Sequence, residues 1–324
     1  MPRAHAPRRG SLQFWPRKRA RRILARVRTW SLPSDAKPAG FAGYKVAMAH
    51  ATATNNTPDA MTKGEKISVP ITIVECPPIK IASVVLYRKF GYGIAPSTQI
   101  LSKSLDKELR RKIPFPKKEQ KTAIENININ DYVDVKALVY TQPKLTGIGK
   151  KKPDVFELAL GGSLQDKFNW IKEHINKEIR ISDVFKDGQL VDIHAVTKGK
   201  GYQGPVKRFG VNLRSHKAEK TKRGPGSLGG WMGQQHFMWR VAHAGKMGFH
   251  QRTEYNKMLL KISDDKTINP RGGFLRYGLI DNDYVLVKGS IMGPAKRILL
   301  LTRALKPTTG AAKESFEIER VIMK

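Results

Sequence analysis

Two stretches of the chain are almost purely cationic. Residues 1–34 hold ten Lys/Arg and no acid, and residues 196–257 hold thirteen Lys/Arg against Glu219 and Glu254 alone. Between them they supply most of a formal net charge of +33. Like charges at this density repel, and such segments have little apolar surface to collapse on. Ordinary solvated faces intersperse both signs, and these do not. Residues 98–195, by contrast, carry fourteen acids against eighteen bases. The chain therefore reads as a body of near-normal composition with two basic arms. Each arm is expected to order only against a polyanionic partner. Nucleic acid is the first candidate and an anionic membrane surface the second.

The body is long enough to bury a core: the chain has 324 residues, 40% of them hydrophobic. Residues 40–49, 67–76 and 79–88 are rich in Val, Ile and aromatics and read as strands, with "ECPP" breaking the last two. Residues 97–113 read as a helix ended by Pro114. Residues 163–178 read as a second helix, with Ser163 and Asp166 forming a capping-box variant and Leu164, Phe168, Ile171 and Ile175 on one face. Strands are expected at 132–141 and 155–160. Asp187–Gly188 forms a turn into the strand "QLVDIHAVT", and two or three strands follow residue 272. Within the first arm, residues 17–28 space Ile23, Leu24 and Val27 for one helical face. The order suggests a mainly β fold: a β-barrel with one inserted α/β subdomain and one long excursion. The expected division is a basic extension (1–40), a first barrel part (41–95), an α/β insertion (96–180), a second barrel part (181–305) that includes a basic loop (199–258), and a tail (306–324).

Several chemistries find little support. The single Cys76 excludes an intramolecular disulfide framework and a cysteine-rich zinc site, and reads as a buried structural thiol. No apolar run approaches the length of a spanning helix. The Arg-rich, acid-free N-terminus has some transit-peptide character, but Trp15, Pro16 and Trp30 run straight into patterned sequence. "GKGYQG" (199–204) fits the dinucleotide-loop spacing, yet Pro205 and further cations follow instead of an amphipathic helix, and no acid is placed to hold a ribose. Its glycines Gly199, Gly201 and Gly204 suit close backbone approach to phosphates that Lys198, Lys200, Lys207 and Arg208 neutralise. His236, His243 and His250 recur every seven residues. On a helix that is one face of donors for phosphate or base edges, as good a reading as scattered polar histidines and better than a metal site. Trp15, Trp231, Phe237 and Trp239 interleave with the cations of both arms, which suits stacking on unpaired RNA bases. The remaining phosphate-binding candidates are Arg8, Arg9, Arg17, Lys18, Arg19, Arg21 and Arg22 in the first arm. In the second they are Arg214, Lys217, Lys222, Arg223, Arg240, Lys246 and Arg252.

"FKDGQLVDIHAVTKGKGYQGPVKRFG" (185–210) resembles the diagnostic segment of the universal large-subunit ribosomal protein L-three family, of archaeal or eukaryotic type. "PRRGSLQFWPRKRA", "ITIVECPP", "VAHAGKMGFHQRTEYNK" and "INPRGGFLRYG" extend the similarity over nearly the whole chain to about residue 305. The resemblance implies a six-stranded translation-protein barrel and a non-enzymatic role in the cytoplasmic large ribosomal subunit. It also implies binding to large-subunit rRNA, participation in early assembly, and contacts with neighbouring ribosomal proteins and the factor-binding region. No cofactor, membrane or small-molecule substrate is implied, beyond structural Mg or K ions shared with rRNA. The implied position for a tryptophan finger near the peptidyl transferase centre is Trp231, in "KRGPGSLGGWMG". The spacing from Trp231 to Trp239, across Gln234, Gln235 and His236, departs from eukaryotic relatives. The rival readings are a nucleotide-binding enzyme using "GKGYQG" and a general nucleic-acid-compacting protein.

Overall fold

The structure, a computed structural model, describes residues 7–116, 124, 127–228 and 239–322. Its strands and helices follow in chain order. They begin with β1 (Gly40–Asn55), β2 (Lys66–Glu75), β3 (Ile79–Phe90), β4 (Gly93–Leu101), β5 (Asp134–Thr141), β6 (Val155–Leu158), α1 (Leu164–His174), β7 (Glu178–Ile179) and β8 (Leu190–Val196). Then come β9 (Tyr202–Gln203), α2 (Pro205–Phe209), β10 (Gly245–Lys246), β11 (Gln251–Ser263), β12 (Tyr284–Lys288), β13 (Ile298–Arg303), α3 (Thr309–Ala312) and β14 (Phe316–Ile322). The chain is mainly β, and it divides into two compact units. One is Met1–Arg22 with Val196–Gln251; the other is Ile23–Ala195 with Arg252–Lys324.

The larger unit is built on two sheets. The first runs β13-β8-β11-β12-β2-β1-β14, and a further β1–β13 pairing closes six of its strands into a ring. The physical requirement for that ring is visible in β1. Its first seven residues are all buried, so that half is covered on both faces, while its second half alternates buried Ala51, Ala53 and Asn55 with half-exposed Thr52 and Thr54. The buried half pairs with β13 and the alternating half with β14, so one long strand serves two partners along its length. Phe41, Ile71, Ile73, Val191, Ile193, Leu259, Val287, Leu299 and Leu301 join one continuous buried cluster. Each fully buried aliphatic chain contributes about 1.5–3 kcal/mol relative to exposure.

The second sheet is antiparallel in the order β4-β3-β5-β6, with β7 pairing β3. Sheet pairing therefore separates β3 and β4 from β1 and β2, earlier in the chain than the expected boundary at residue 95. α1 packs on β5 and buries Phe168 and Ile171. Its start follows the expected capping box: Ser163 Oγ accepts from Asp166 N at 3.3 Å, and Asp166 Oδ2 accepts from Ser163 N at 3.2 Å. This reciprocal pair satisfies two otherwise orphaned donors.

Several local expectations are corrected. Residues 97–113 form no α-helix. Gly91, at φ +57°, turns the chain so that β4 pairs with β3, and only Lys107–Arg111 coil, as a 3-10 turn burying Leu109. Pro96 lies in β4 at a register shift, an edge position where its missing N–H costs no ladder bond. Residues 17–28 form no helix either: Ala25 is buried, Leu24 and Val27 pack on the core, and Ile23 is exposed, so packing overrides the helical spacing. Within the stretch expected as a tail, β14 adds to β1. Cys76 is fully buried as expected, and burial pushes its thiol pKa well up.

Candidate nucleic-acid interface

The smaller unit brings the two basic arms together. Arg208 is its clamp. It leaves the short helix α2, whose Pro205 and Phe209 are buried and whose C-cap is Gly210. Its guanidinium donates through Nε to Lys246 O (3.0 Å), through Nη1 to His243 O (2.9 Å) and through Nη2 to Arg17 O (3.1 Å). One planar fork thus ties α2, the segment before residue 251 and the N-terminal arm. Partial burial lowers the Arg208 pKa, as does the nearby charge of Arg17. Arg17 answers by donating Nη1 to Arg208 O at 3.0 Å and lying over the Phe209 ring at 4.2 Å.

An aromatic cluster sits beside this clamp. Trp15 stacks on Phe209 with centroids 5.4 Å apart and meets Trp239 edge-on at 5.8 Å. Arg8 lies over Trp15 at 5.9 Å and donates to Arg240 O, and Arg9 donates to Asn212 Oδ1. Trp15 Nε1 and Arg17 Nε are buried donors with no acceptor among the described residues. Two glycines permit the approach. A Cβ on Gly10, at φ +83°, would stand 2.5 Å from Phe209 Cδ1, and one on Gly248 would stand 2.0 Å from Lys198 O. Backbone hydrogen bonds close the unit: Ala20 N donates to Phe249 O, Lys200 N to Met247 O and Met247 N to Gly201 O, each at 2.8–2.9 Å. The arms therefore have an internal scaffold among the described residues, where the sequence led us to expect order only against a partner.

The structure sorts the candidate residues. Arg8, Arg9, Arg17 and Arg208 are scaffold staples that still carry charge. His250 is buried with Nδ1 against Lys18 O at 2.8 Å, and Arg19 lies over Phe249 at 5.3 Å. Lys18, Arg21, Arg22, Lys198, Lys200, Lys207, Arg214, Lys217, Lys222, Arg223, Arg240 and Lys246 are exposed. No lysine or arginine of this unit pairs with a carboxylate among the described residues. His243 lies in an irregular segment just before β10 and His250 immediately before β11, so the seven-residue spacing is not a helical face. Arg252 falls within β11, in the larger unit. Open space surrounds Gly201 and Gly204, and the five-residue α2 follows where no helix was expected after "GKGYQG". Trp231, His236, Gln234, Gln235 and Phe237 lie outside the described residues. Phe209, Asn212 and Phe249 were missed by sequence reasoning. The "PVKRFG" run, with proline at the first helical position and glycine past the last, was the signal for Phe209.

Among the described residues no group of three or more His, Cys, Asp or Glu can hold a metal, and no helix is long and apolar enough to cross a membrane. The family model of Ribosomal protein L3 matches residues 1–322. The large ribosomal subunit protein uL3 of Methanobrevibacter smithii is 44% identical over 316 residues, covering 95% of this chain and 94% of that protein. The corresponding protein of Methanothermobacter thermautotrophicus is 43% identical, covering 99% of this chain and 98% of its own length. That of Archaeoglobus fulgidus is 45% identical over 94% of this chain and 93% of its own. The match along the whole chain decides the family, and the two-armed cationic unit accords with it: the chain belongs to the ribosomal protein L3 family, whose members are structural proteins and not enzymes.

Proposed function

We propose that the chain is a structural constituent of the large ribosomal subunit in the cytoplasm and that its smaller unit grips large-subunit rRNA. The observation that carries this reading is the unpaired cationic surface of that unit, set around the Trp15–Phe209–Trp239 cluster. Exposed lysines and arginines neutralise phosphates and release counterions, while aromatic faces accept unpaired bases. The six-strand ring is read as the family's translation-protein barrel and the second sheet with α1 as its insertion. In this reading the residues between 228 and 239 carry Trp231 toward the peptidyl transferase centre, and early assembly follows from binding RNA before neighbouring proteins close over it. Neighbouring subunit proteins and the factor-binding region are further contacts, and Mg or K ions shared with RNA are the only ions invoked.

The test is competition binding of the full chain to a large-subunit rRNA transcript against duplex DNA of equal charge, over a salt series. Preference for RNA, with an affinity falling steeply as salt rises, supports the reading. Equal binding to DNA would establish the nucleic-acid-compacting alternative, and tight binding of ATP or NAD in equilibrium dialysis would establish the enzymatic one.

A further inference from the structure

The motif "INPRGGFLRYG" has no place in the smaller unit, and its structure in the larger one is unusually braced. Glu75, fully buried at the end of β2, accepts from Tyr277 OH, Asp281 N (3.1 Å), Asn282 N (3.2 Å) and Asn282 Nδ2 (2.8 Å). Asn269 locks the other side, donating Nδ2 to Ile280 O and accepting from Ile280 N. Phe274 and Gly278 form an isolated bridge that pinches the loop shut, with Phe274 and Tyr277 buried beneath it. Such bracing fixes what the loop exposes: Arg271, Arg276 and Leu275, the last 85% exposed. Arg276 is held at φ +64°, a left-handed conformation that costs a non-glycine residue energy and persists only where surroundings impose it.

A second loop, distant in sequence, abuts this one. Asn282 Nδ2 donates also to Leu145 O at 2.9 Å, and Gly147 lies close enough that a Cβ there would sit 3.3 Å from Leu279 O. This second loop carries Lys144, Lys150, Lys151 and Lys152. Lys144 is neutralised by Glu108 and Lys150 by Asp154. Lys151, Lys152, Arg271 and Arg276 are exposed and have no hydrogen-bond or ion-pair partner among the described residues. Elsewhere on this unit Lys66, Lys80, Lys167 and Lys288 each meet a carboxylate, while Lys89, Lys103 and Lys186 are exposed without one among the described residues; what sets the two loops apart is four such cations on abutting, braced segments.

We propose that the two abutting loops, residues 143–153 and 269–280, form a second RNA-binding face, on the larger unit, which takes the sugar–phosphate backbone of folded large-subunit RNA. The inference rests on the reading of the chain as an rRNA-binding protein and extends it to a separate site. The exposed apolar residues of the two loops, Leu145, Leu275 and Leu279, are aliphatic. This face therefore has no ring on which to stack a base, and it reads shape and charge where the smaller unit offers stacking. Four cations on a preorganised support suit phosphates at fixed spacing.

The test uses the full chain and an in vitro transcript of large-subunit rRNA, with binding measured across a salt series. The variant Lys151→Gln/Lys152→Gln/Arg271→Gln/Arg276→Gly is expected to lower the steepness of log affinity against log salt by about three. Arg276→Gly alone is expected to lower it by about 0.7–0.9 without lowering the thermal midpoint, since glycine relieves the left-handed strain. It keeps the test decisive should the fourfold variant fold poorly. If wild type shows no preference for RNA over heparin, the proposed function fails with the inference. If wild type binds RNA and both variants match its slope, the second face alone is refuted. Variants that match that slope but wash out of reconstituted subunits would assign the face to a protein neighbour and overturn the RNA assignment.

Discussion

Replacing Arg208 by lysine removes a planar fork that no ammonium can reproduce. The guanidinium makes three bonds to carbonyls of three separate segments, at 2.9–3.1 Å. A lysine at the end of a flexible stem keeps the charge and at best one of the three. Charge-assisted bonds contribute about 1.5–3 kcal/mol when buried, and partial exposure here brings each nearer 1 kcal/mol. Losing two therefore costs the smaller unit about 2 kcal/mol, or roughly a 30-fold rise in the population of its opened state. Native-state hydrogen exchange on the RNA-free chain reads this directly. The reporters are the amides of Ala20, Lys200 and Met247, whose carbonyl acceptors lie across the unit. They are expected to be protected in the wild type and to exchange roughly 30-fold faster in Arg208→Lys, while amides of β1 and β2 stay unchanged. Unprotected reporters in the wild type would mean that the arms order only against RNA. Protected reporters insensitive to the substitution would remove Arg208 as the clamp.

His194 joins Thr253 Oγ1 and Thr302 Oγ1 at 2.9 and 3.1 Å, and burial lowers its pKa below the ordinary 6.5. The unfolded chain therefore binds the proton first, and stability present above pH 6.5 falls as pH drops below it, by up to about 1.4 kcal/mol per pH unit. Chemical denaturation between about pH 5 and 7.5 should show this slope in wild type and lose it in His194→Gln; a shared slope would rule it out. Glu75→Gln leaves one acceptor oxygen and turns an amide donor toward donors. The expected loss is about 3 kcal/mol in urea unfolding, and a loss below about 1 kcal/mol would show that the 277–282 loop is not held by that carboxylate.

Much of the body was legible because its signals are local. The strands at residues 40–49, 67–76 and 79–88, the capping box at Ser163 and the turn at Gly188 each depend on neighbours within a few residues. Where a distant partner decides, local reading failed. Residues 97–101 have helical spacing, yet β3 offers a ladder and Gly91 turns the chain onto it. Phe209 looked like one residue in a basic run, and its role exists only because Trp15 lies across the unit.

By itself the sequence determined that charge is segregated into two arms, that a β-rich body carries them, and that its motifs resemble those of the L-three family. The first two follow from composition and short-range spacing, and the third from the likeness of whole motifs such as residues 185–210; none requires knowledge of the fold. The tertiary structure decided that the two arms form one scaffold, that β1 closes a ring by pairing β13 as well as β2, and that the loops at 143–153 and 269–280 abut. It also separated arginines committed to carbonyls from cations left facing solvent. The reason is that a cation's availability depends on which acceptors long-range packing brings within about 3 Å, and that distance is set by the folded chain.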